Sequence, residues 1–339
     1  MIRYPLLFQL IATVIIISSG CSTFTAFHQG CRSNRPVSIH RKLLLQSGSS
    51  NDNLPLEFDQ MPTRYHEFTN VNNQNVRLAY WYYAPSTNPT PPTTIVVLLN
   101  GLLSSISGRK SQAIQQYANE NNAGYLCFDY RGHGNSSSSF GDCTMHDWME
   151  DSRQMIDYAM SMDSNNDEEY LNIVLVGSSL GAWIALHMAW ERPDCISGII
   201  GIGSAIDFTY HTFEKMTKEQ QQCILSKEDD NNPMINVYSP YLTEPYPFSR
   251  ALYESGYDYL LCHNLPDEHS DITLSCPVHL LHGVDDDVVS LETVINAVKV
   301  LQEKYKAKDV TVNLLDGGDH RLSRPDDIKV MLKTLGGLI

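Results

Sequence analysis

Short, nearly continuous apolar runs alternate along this chain with longer segments in which apolar residues recur every three or four positions. The runs are rich in β-branched residues and predict strands, most of them buried on both faces: Arg64–Thr69, 76–83, Thr94–Leu99, 125–130, 173–176, Ile196–Ile202, 277–283 and Val310–Leu315. Amphipathic segments at 110–121 and 144–162 predict helices between them. This alternation predicts an α/β fold with a mostly parallel central sheet and helices on both faces.

The alternation stops between positions 207 and 271. This stretch is rich in tyrosine, glutamine, asparagine and proline, and it precedes the strand predicted at 277–283. We therefore predict one core domain formed by residues 51–206 and 272–339, with residues 207–271 inserted as a cap.

The strand at 173–176 leads directly into Gly177-Ser178-Ser179-Leu180-Gly181, which is followed by an apolar, Ala-rich helical pattern. Strand, sharp turn and helix form the setting in which the serine of G-x-S-x-G acts as a nucleophile. The glycines allow strand and helix to approach closely, and the helix N-terminus favours developing negative charge. The pattern predicts Ser179 as a nucleophile, with an ordinary Gly/Ser turn as the alternative.

A serine nucleophile needs a histidine and a carboxylate, and candidates for both follow predicted strands further along the chain. His320 lies in a Gly-rich loop after the last predicted strand, and three adjacent aspartates follow the strand before it. His320 is expected to accept the serine proton, while the carboxylate fixes the histidine tautomer. The pattern H-G-x-x-D-x-x-V selects Asp286, with Asp287 as the runner-up and Asp285 also available.

Acyl transfer also needs two backbone amides for the oxyanion. One is predicted at Leu180, the residue after the nucleophile. The other is predicted at Leu102, because Asn100-Gly101-Leu102 follows the strand Thr94–Leu99 and Gly101 permits a tight turn.

Several linked motifs carry a resemblance to the α/β-hydrolase superfamily. They are F-D-Y-R-G-H-G-N-S at 128–136, G-S-S-L-G at 177–181, E-R-P at 191–193, L-L-H-G-V-D-D-D-V-V at 280–289 and G-D-H-R at 318–321. Within the superfamily, they are similar to the mitochondrial α/β-hydrolase-domain protein ten of animals and its bacterial relatives. The resemblance covers most of the chain from about position 76 onward.

The resemblance implies an α/β-hydrolase fold and a serine hydrolase whose triad, in the family's chain order, is Ser179, Asp286 and His320. It implies cleavage of acyl thioesters or esters through an acyl-enzyme, with removal of S-acyl groups from proteins preferred. Hydrolysis of small esters or acyl glucuronides is the alternative, and a peptidase or a non-catalytic ligand-binding protein of the same fold also stays open. Two positions depart from the family, which often has His or Pro at Asn100 and usually has Pro at Ser290.

Aromatic residues of the predicted cap are candidates for an acyl pocket. They are Tyr238, Tyr241, Tyr246, Phe248, Tyr253, Tyr257 and Tyr259. Most of them are expected in the cap's own core, because aromatic side chains bury a large area. Tyr238 and Tyr241 are the pocket candidates that we select. His133, in the loop after a predicted strand, either contacts substrate or only shapes its turn.

The composition restricts the partners. The formal net charge is −15, and no basic stripe is present that could contact phosphates, which argues against nucleic-acid binding. We predict neither a cofactor nor a metal site, because glycine-rich phosphate loops and metal-ligand spacings are missing from the sequence. The eight cysteines are expected to be mostly reduced. The predicted partner is an acyl thioester or ester, with S-acylated proteins as candidates.

The composition of residues 1–50 predicts a targeting segment. The apolar run at 5–17 is short for a membrane span and suits a signal peptide, so no stable span is expected in the mature protein. No acidic residue precedes Asp52, and basic residues stand among serines, as in transit peptides. Signal plus transit peptide favours secondary-plastid targeting with a cleavage region at 23–27. A mitochondrial location, secretion and acylation at Cys21 are the alternatives.

Overall fold

The computed structural model describes residues 63–84, 94–161, 172–226, 232–263 and 273–339, together with the backbone of Thr13–Ile17. The rest of the predicted targeting segment, the polar linker before residue 63 and the proline-rich stretch at 85–93 lie outside the described residues.

A nine-stranded sheet forms the centre of the described structure, with a separate strand pair beside it. In chain order the strands are β1 (Thr13–Ile17), β2 (Arg64–Thr69), β3 (Asn75–Tyr83), β4 (Thr94–Leu99), β5 (Gly124–Phe128), β6 (Asn172–Ser178), β7 (Ile196–Ile202), β8 (Met234–Val237), β9 (Tyr246–Ser249), β10 (Val278–Gly283) and β11 (Val310–Leu315). The large sheet has the order β1-β11-β10-β7-β6-β4-β5-β3-β2. Only β3 runs antiparallel to its neighbours, β2 and β5. The mostly parallel sheet is therefore confirmed.

The central strands bury both faces. In β4, Ile95, Val97 and Leu99 belong to one apolar cluster, while Val96 and Leu98 belong to a second cluster on the other side. Successive side chains of a strand point to opposite faces, so a strand covered on both sides needs an unbroken apolar run.

Helices cover the two faces of the sheet. In the described ranges they are α1 (Arg109–Glu120), α2 (Met145–Ser161), α3 (Leu180–Glu191), α4 (Phe208–Glu214), α5 (Lys218–Leu225), α6 (Arg250–Tyr257), α7 (Leu291–Glu303) and α8 (Pro325–Leu335). Apolar residues of α2, α3 and α7 join the first cluster, and those of α1 and α8 join the second. The helices predicted at 110–121 and 144–162 are α1 and α2, each displaced by at most one residue at either end. None of the helices in these ranges is long and apolar enough to cross a bilayer.

The chain between β7 and β10 contains α4, α5, the antiparallel pair β8–β9 and α6. Its aromatic side chains pack on one another: the rings of Phe213 and Tyr253 stack with centroids 4.0 Å apart, and Phe248 is fully buried. This is the segment that the sequence predicts as a cap, and it breaks the strand–helix alternation of the core.

One strand lies where the sequence predicts a signal peptide. β1 pairs in parallel with β11, with Thr13 opposite Thr311 and Ile17 opposite Leu315. In this structure the apolar run near the N-terminus thus provides an edge strand of the sheet, which its composition did not predict.

Candidate active site

Ser179 lies at the turn between β6 and α3 in a strained backbone conformation. Its φ of 53° and ψ of −115° fall in a region that non-glycine residues rarely occupy. Its N–H donates to the carbonyl of Ile202 at 2.8 Å, and its carbonyl accepts from Ala182 and Ala205 at 3.0 and 3.2 Å. Hydrogen bonds to the end of β7 and to the first turn of α3 therefore hold the strained turn in place.

The glycines on either side of Ser179 are required by close packing. A Cβ added at Gly177 would lie 2.4 Å from the carbonyl oxygen of Gly181, and one at Gly181 would lie 2.0 Å from the carbonyl oxygen of Leu99. Both distances are far below van der Waals contact, so α3 could not approach β4 and β6 with larger residues there. The G-x-S-x-G spacing thus follows from the packing of this turn.

Three side chains from the ends of different strands form a continuous hydrogen-bonded array. His320 Nε2 is 3.0 Å from Ser179 Oγ, and His320 Nδ1 is 2.9 Å from Asp286 Oδ2. The structure brings together the serine, histidine and aspartate that the sequence selects. Asp285 and Asp287 are exposed, and Asp287 accepts a hydrogen bond from the Tyr241 hydroxyl at 2.9 Å instead.

The side chain of Asp286 is fully buried and its oxygens are occupied. Besides His320, it accepts the N–H groups of Val288 and Val289 through Oδ1, both at 2.9 Å. Burial acts to raise the pKa of Asp286, but the hydrogen bond and charge of His320 and the two amides outweigh it, so the pKa is lowered. An ionised Asp286 holds the Nδ1 proton of His320 and leaves Nε2 free to accept the hydroxyl proton of Ser179.

A second histidine lies against the same carboxylate. His282 is buried, and its Nδ1 is 3.7 Å from Asp286 Oδ2. Burial lowers the pKa of His282, the charge of Asp286 opposes this change, and His320 adds to it. A neutral His282 leaves the negative charge of Asp286 available to His320.

The loop after β4 lies directly beside the serine. A Cβ at Gly101 would be 3.3 Å from Ser179 Cβ, and the carbonyl of Gly101 accepts from Ser104 at 3.1 Å to close a turn with Leu103 at φ 52°. In the part of the chain that the structure describes, the N–H groups of Leu102 and Leu180 donate to no protein acceptor. Both residues line the same cavity as Ser179.

Ser179 and His320 open into a cavity of about 1190 Å³. This volume is somewhat above the usual range of ligand pockets, which is roughly 300–1,000 Å³. Apolar residues from the inserted segment form much of its wall: Phe208, Met216, Ile235, Val237, Leu242 and Tyr246. The array of serine, histidine and aspartate is therefore accessible to a substrate with an extended apolar part.

Comparison with known proteins places this chain in a family. The family profile described as serine aminopeptidase, S33, matches residues 90–227. The mitochondrial palmitoyl-protein thioesterase ABHD10 of Rattus norvegicus is 30% identical over 244 residues, which cover 72% of this chain and 74% of the rat protein. The chain belongs to the ABHD10 family of α/β-hydrolases. Human ABHD10 is likewise 30% identical, over 249 residues and 72% of each chain.

Solved structures agree with membership of the ABHD10 family. ABHD10 from mouse has a TM-score of 0.64 at 26% identity and covers 82% of this chain and 98% of its own. A hydrolase from Agrobacterium vitis has a TM-score of 0.67 at 28% identity, with 82% and 99% covered. The predicted α/β-hydrolase fold is confirmed, and the chain is a hydrolase by family.

The two residues that depart from the family pattern, Asn100 and Ser290, both make hydrogen bonds in this structure. Asn100 is buried, and its Nδ2 donates to the carbonyl of Phe128 at 3.1 Å, so it ties the loop after β4 to the end of β5. Ser290 is the N-cap of α7 and accepts the N–H of Thr293 at 3.2 Å. Neither change removes a group from the array around Ser179.

The candidate substrate residues divide into two groups. Tyr238 and Tyr241 line the cavity, with Tyr238 82% exposed and the Tyr241 ring centred 5.6 Å from that of His320. His133 does not line it: its ring is buried, with the rings of Tyr130, Phe140 and Trp148 around it. The structure therefore does not support a substrate contact for His133, because the loop that follows β5 turns this side chain into the core.

Asp129 is a supporting residue to which the sequence analysis assigns no role, although it lies in the D-Y-R-G-H-G motif. Its Oδ1 accepts the N–H of Ile106 at 2.9 Å, and its Oδ2 accepts the N–H of Asn135 at 3.1 Å. Both oxygens thus join the segment after Leu102 to the loop that follows β5. An aspartate directly after a buried strand was the signal that could have identified it.

The described residues contain no cluster of three or more side chains suited to hold a metal ion. The cysteines within them carry free thiols: Cys127, Cys143, Cys195, Cys223, Cys262 and Cys276. Burial raises the pKa of Cys127 to about 12, so this thiol is protonated at neutral pH.

Proposed function

We propose that the protein is a serine hydrolase that cleaves acyl thioesters or esters through an acyl-enzyme. The observation that carries the proposal is the continuous array Ser179–His320–Asp286, with hydrogen bonds of 3.0 and 2.9 Å, at the base of an open cavity. A nucleophile, a base and a residue that orients the base are the three parts that such catalysis needs.

The chemistry assigns a role to each group. Ser179 Oγ attacks the acyl carbon while His320 Nε2 takes its proton, and the N–H groups of Leu102 and Leu180 donate to the oxyanion. The bond to the leaving sulfur or oxygen then breaks, and His320 returns the proton to that atom. Water, activated by His320, hydrolyses the acyl-Ser179 ester and releases the carboxylic acid.

For the substrate we propose long-chain acyl thioesters of the kind that a protein S-depalmitoylase cleaves. The apolar wall from the inserted segment, which we propose is a cap over the site, suits an alkyl chain. The relatives described above are named palmitoyl-protein thioesterases, which favours thioesters over simple esters. Hydrolysis of small esters is the second candidate, because the cavity is also open to solvent through exposed residues such as Tyr238.

Active-site labelling tests the proposal directly. The protein is treated with an alkyl fluorophosphonate and compared with Ser179→Ala, and p-nitrophenyl esters and acyl thioesters of graded chain length are assayed alongside. We expect labelling of the wild type, none of the variant, and a kcat/KM that rises with chain length on thioesters. Turnover restricted to short esters would favour a carboxylesterase. Cleavage of peptide p-nitroanilides would favour a peptidase. A folded wild-type protein that takes no label contradicts the serine nucleophile.

For location, we propose import into an organelle. The ABHD10 relatives are named mitochondrial, which favours the mitochondrion, while the plastid predicted from the composition of residues 1–50 has no support from them. A fluorescent protein fused after residue 50 tests this in cells that contain both organelles. Fluorescence confined to the secretory pathway would contradict import.

A further inference from the structure

The cavity wall carries an excess of positive charge in an acidic protein. Four cations line the cavity around Ser179: Arg109, Lys110, Lys215 and Arg321. Among the lining residues that the structure describes, the only carboxylate is Asp287, and it accepts a hydrogen bond from Tyr241. The whole chain has 24 Lys and Arg against 39 Asp and Glu, so the charge of this surface is opposite to that of the molecule.

These cations make no ion pairs with the carboxylates that the structure describes. Within the described ranges, none of the four lies within 4.0 Å of an acidic side chain, whereas four other arginines are paired: Arg131, Arg153, Arg192 and Arg324. Lys110 and Lys215 donate to the carbonyls of Arg321 and Val288, at 2.6 and 3.1 Å. Arg321 Nη2 likewise donates to a carbonyl, that of Tyr241, at 2.5 Å. Arg64 and Arg77 also lack ion pairs within the described ranges, so what distinguishes the four cations is their position on the cavity wall.

Three of the four cations belong to two adjoining parts of the chain, the start of α1 and the loop that carries His320. Arg109 and Lys110 begin α1, and Lys110 Nζ is bonded to the backbone of Arg321, the residue after His320. Arg321 lies over the Tyr241 ring at 5.1 Å. We call Arg109, Lys110 and Arg321 the cationic cluster; Lys215 lies apart from it, beside Val288.

The start of α1 adds to the positive electrostatic potential of the cationic cluster. The helix has no acidic residue in its first turn, and its N-cap, Gly108, makes no side-chain capping bond. Burial lowers the pKa of Lys110 to about 8, with Asp319 and Asp327 opposing this change from beyond ion-pair distance and Arg321 adding to it. An anion bound here would stabilise the charged form of Lys110.

We infer that the cationic cluster binds a phosphate group on the leaving thiol of the substrate, so that the preferred substrates are acyl thioesters of a phosphate-bearing thiol. This inference rests on the proposed function. The apolar wall lies on the inserted segment and the cluster lies on α1 and the His320 loop, so acyl chain and leaving group have separate surfaces. Several donors around one anion suit a phosphate, which arginine binds through two parallel hydrogen bonds.

The test compares octanoyl-pantetheine with octanoyl-coenzyme A, which adds a 3′-phospho-ADP group, and with octanoyl-4′-phosphopantetheine, which adds one phosphate alone and should change kcat/KM in the same direction. Octanoyl-coenzyme A and octanoyl-pantetheine carry the same acyl chain and thiol arm, but only the first has phosphates. We expect a higher kcat/KM for octanoyl-coenzyme A, and a ratio of the two values that falls about tenfold or more in Arg109→Gln, the loss expected for one charged hydrogen bond. The ratio should also fall in 0.5 M NaCl, because salt screens exposed charges.

A matched variant controls for net charge. Lys299 is an exposed lysine of α7 outside the cavity wall, so Lys299→Gln removes the same charge and should keep the wild-type ratio. Thermal unfolding followed by circular dichroism establishes that Arg109→Gln is folded. A ratio near one in the wild type, an unchanged ratio in Arg109→Gln, or an equal fall in Lys299→Gln overturns the inference.

Two further outcomes separate this inference from the proposed function. If octanoyl-pantetheine is cleaved without any preference for coenzyme A, the serine hydrolase stands and the phosphate subsite fails. If neither thioester is cleaved and the fluorophosphonate does not label Ser179, both fail. A preference for octanoyl glucuronide over methyl octanoate, with none for octanoyl-coenzyme A, would assign the cluster to a carboxylate and overturn the phosphate.

Discussion

Replacing Asp286 with asparagine changes one hydrogen bond of the array while keeping the shape of the side chain. Asp286 accepts three hydrogen bonds, two from the amides of Val288 and Val289 and one from His320 Nδ1, all at 2.9 Å. In Asp286→Asn the amide oxygen can still accept the two backbone N–H groups. The amide nitrogen then faces His320 Nδ1 and donates to it.

The expected loss follows from the tautomer. With Nδ1 accepting, the remaining proton of His320 lies on Nε2, which is 3.0 Å from Ser179 Oγ and can no longer take the hydroxyl proton. A substitution of this kind lowers kcat by about 10⁴-fold, which corresponds to about 5.5 kcal/mol of activation free energy. We expect a smaller cost in the free energy of unfolding, about 1–2 kcal/mol, because two of the three bonds remain.

The runner-up aspartate provides the control. Asp287 is exposed and bonded only to the Tyr241 hydroxyl in the described structure, so Asp287→Asn should keep kcat within about threefold of the wild type. The assay is steady-state hydrolysis of a p-nitrophenyl ester, with urea unfolding of all three proteins. If Asp286→Asn stays within tenfold of the wild type, or if Asp287→Asn loses as much activity, the assignment of the acid from this geometry is wrong.

Three further predictions concern packing, loop support and acid sensitivity. Gly181→Ala should lower the free energy of unfolding, measured in urea, by about 3 kcal/mol or more, because its Cβ would meet the Leu99 carbonyl at 2.0 Å. Gly108→Ala is the control: the nearest atom to its Cβ would be 3.7 Å away, so the same measurement should show a loss of less than about 1 kcal/mol. Asp129→Asn should lower kcat about tenfold and stability by about 1–3 kcal/mol, because an amide NH₂ would face a backbone N–H; exposed Asp142→Asn is the control. Burial lowers the pKa of His133 to about 4, although its hydrogen bond to the Arg131 carbonyl acts to raise it. Between pH 6.5 and pH 4 the unfolded chain therefore binds a proton at this residue, and the native state does not. Stability should therefore fall by about 2–3 kcal/mol from pH 7 to pH 4.5 on account of this residue, and His133→Phe should reduce the fall by that amount; equal pH dependence of the two proteins in urea unfolding would contradict this account.

The strands and the residues at their carboxyl ends were predictable because local patterns determine both. An unbroken run such as Thr94–Leu99 has one stable environment, a strand covered on both faces, and the structure places it there. Parallel strands then bring their following loops to one edge, so Ser179, Asp286 and His320 could be selected without knowing any long-range contact. Of the two elbow glycines, Gly177 carries equally local information, because it packs against the backbone of Gly181 and Ala182, whereas the close contact of Gly181 is with the distant Leu99.

His133 could not be placed in the same way. Its position after β5 is compatible with the site edge or with the core, and the choice depends on rings that are distant in sequence, such as Trp148. β1 is a similar case, since an apolar run near the N-terminus suits a signal peptide and an edge strand equally well. In this structure the run pairs with β11, a contact that its own composition does not indicate.

The cationic cluster shows the same limit for charged residues. Arg321 is more than 200 positions away from the neighbouring residues Arg109 and Lys110, and the sequence gives no sign of which cations are paired. A net charge of −15 argues against binding nucleic acid, but it says nothing about a local field inside one cavity. Sequence patterns therefore selected the candidate reacting groups. The charge that would select the leaving group emerges only when α1 and the His320 loop are brought together. For this reason the comparison of octanoyl-coenzyme A with octanoyl-pantetheine tests something that the triad alone does not determine.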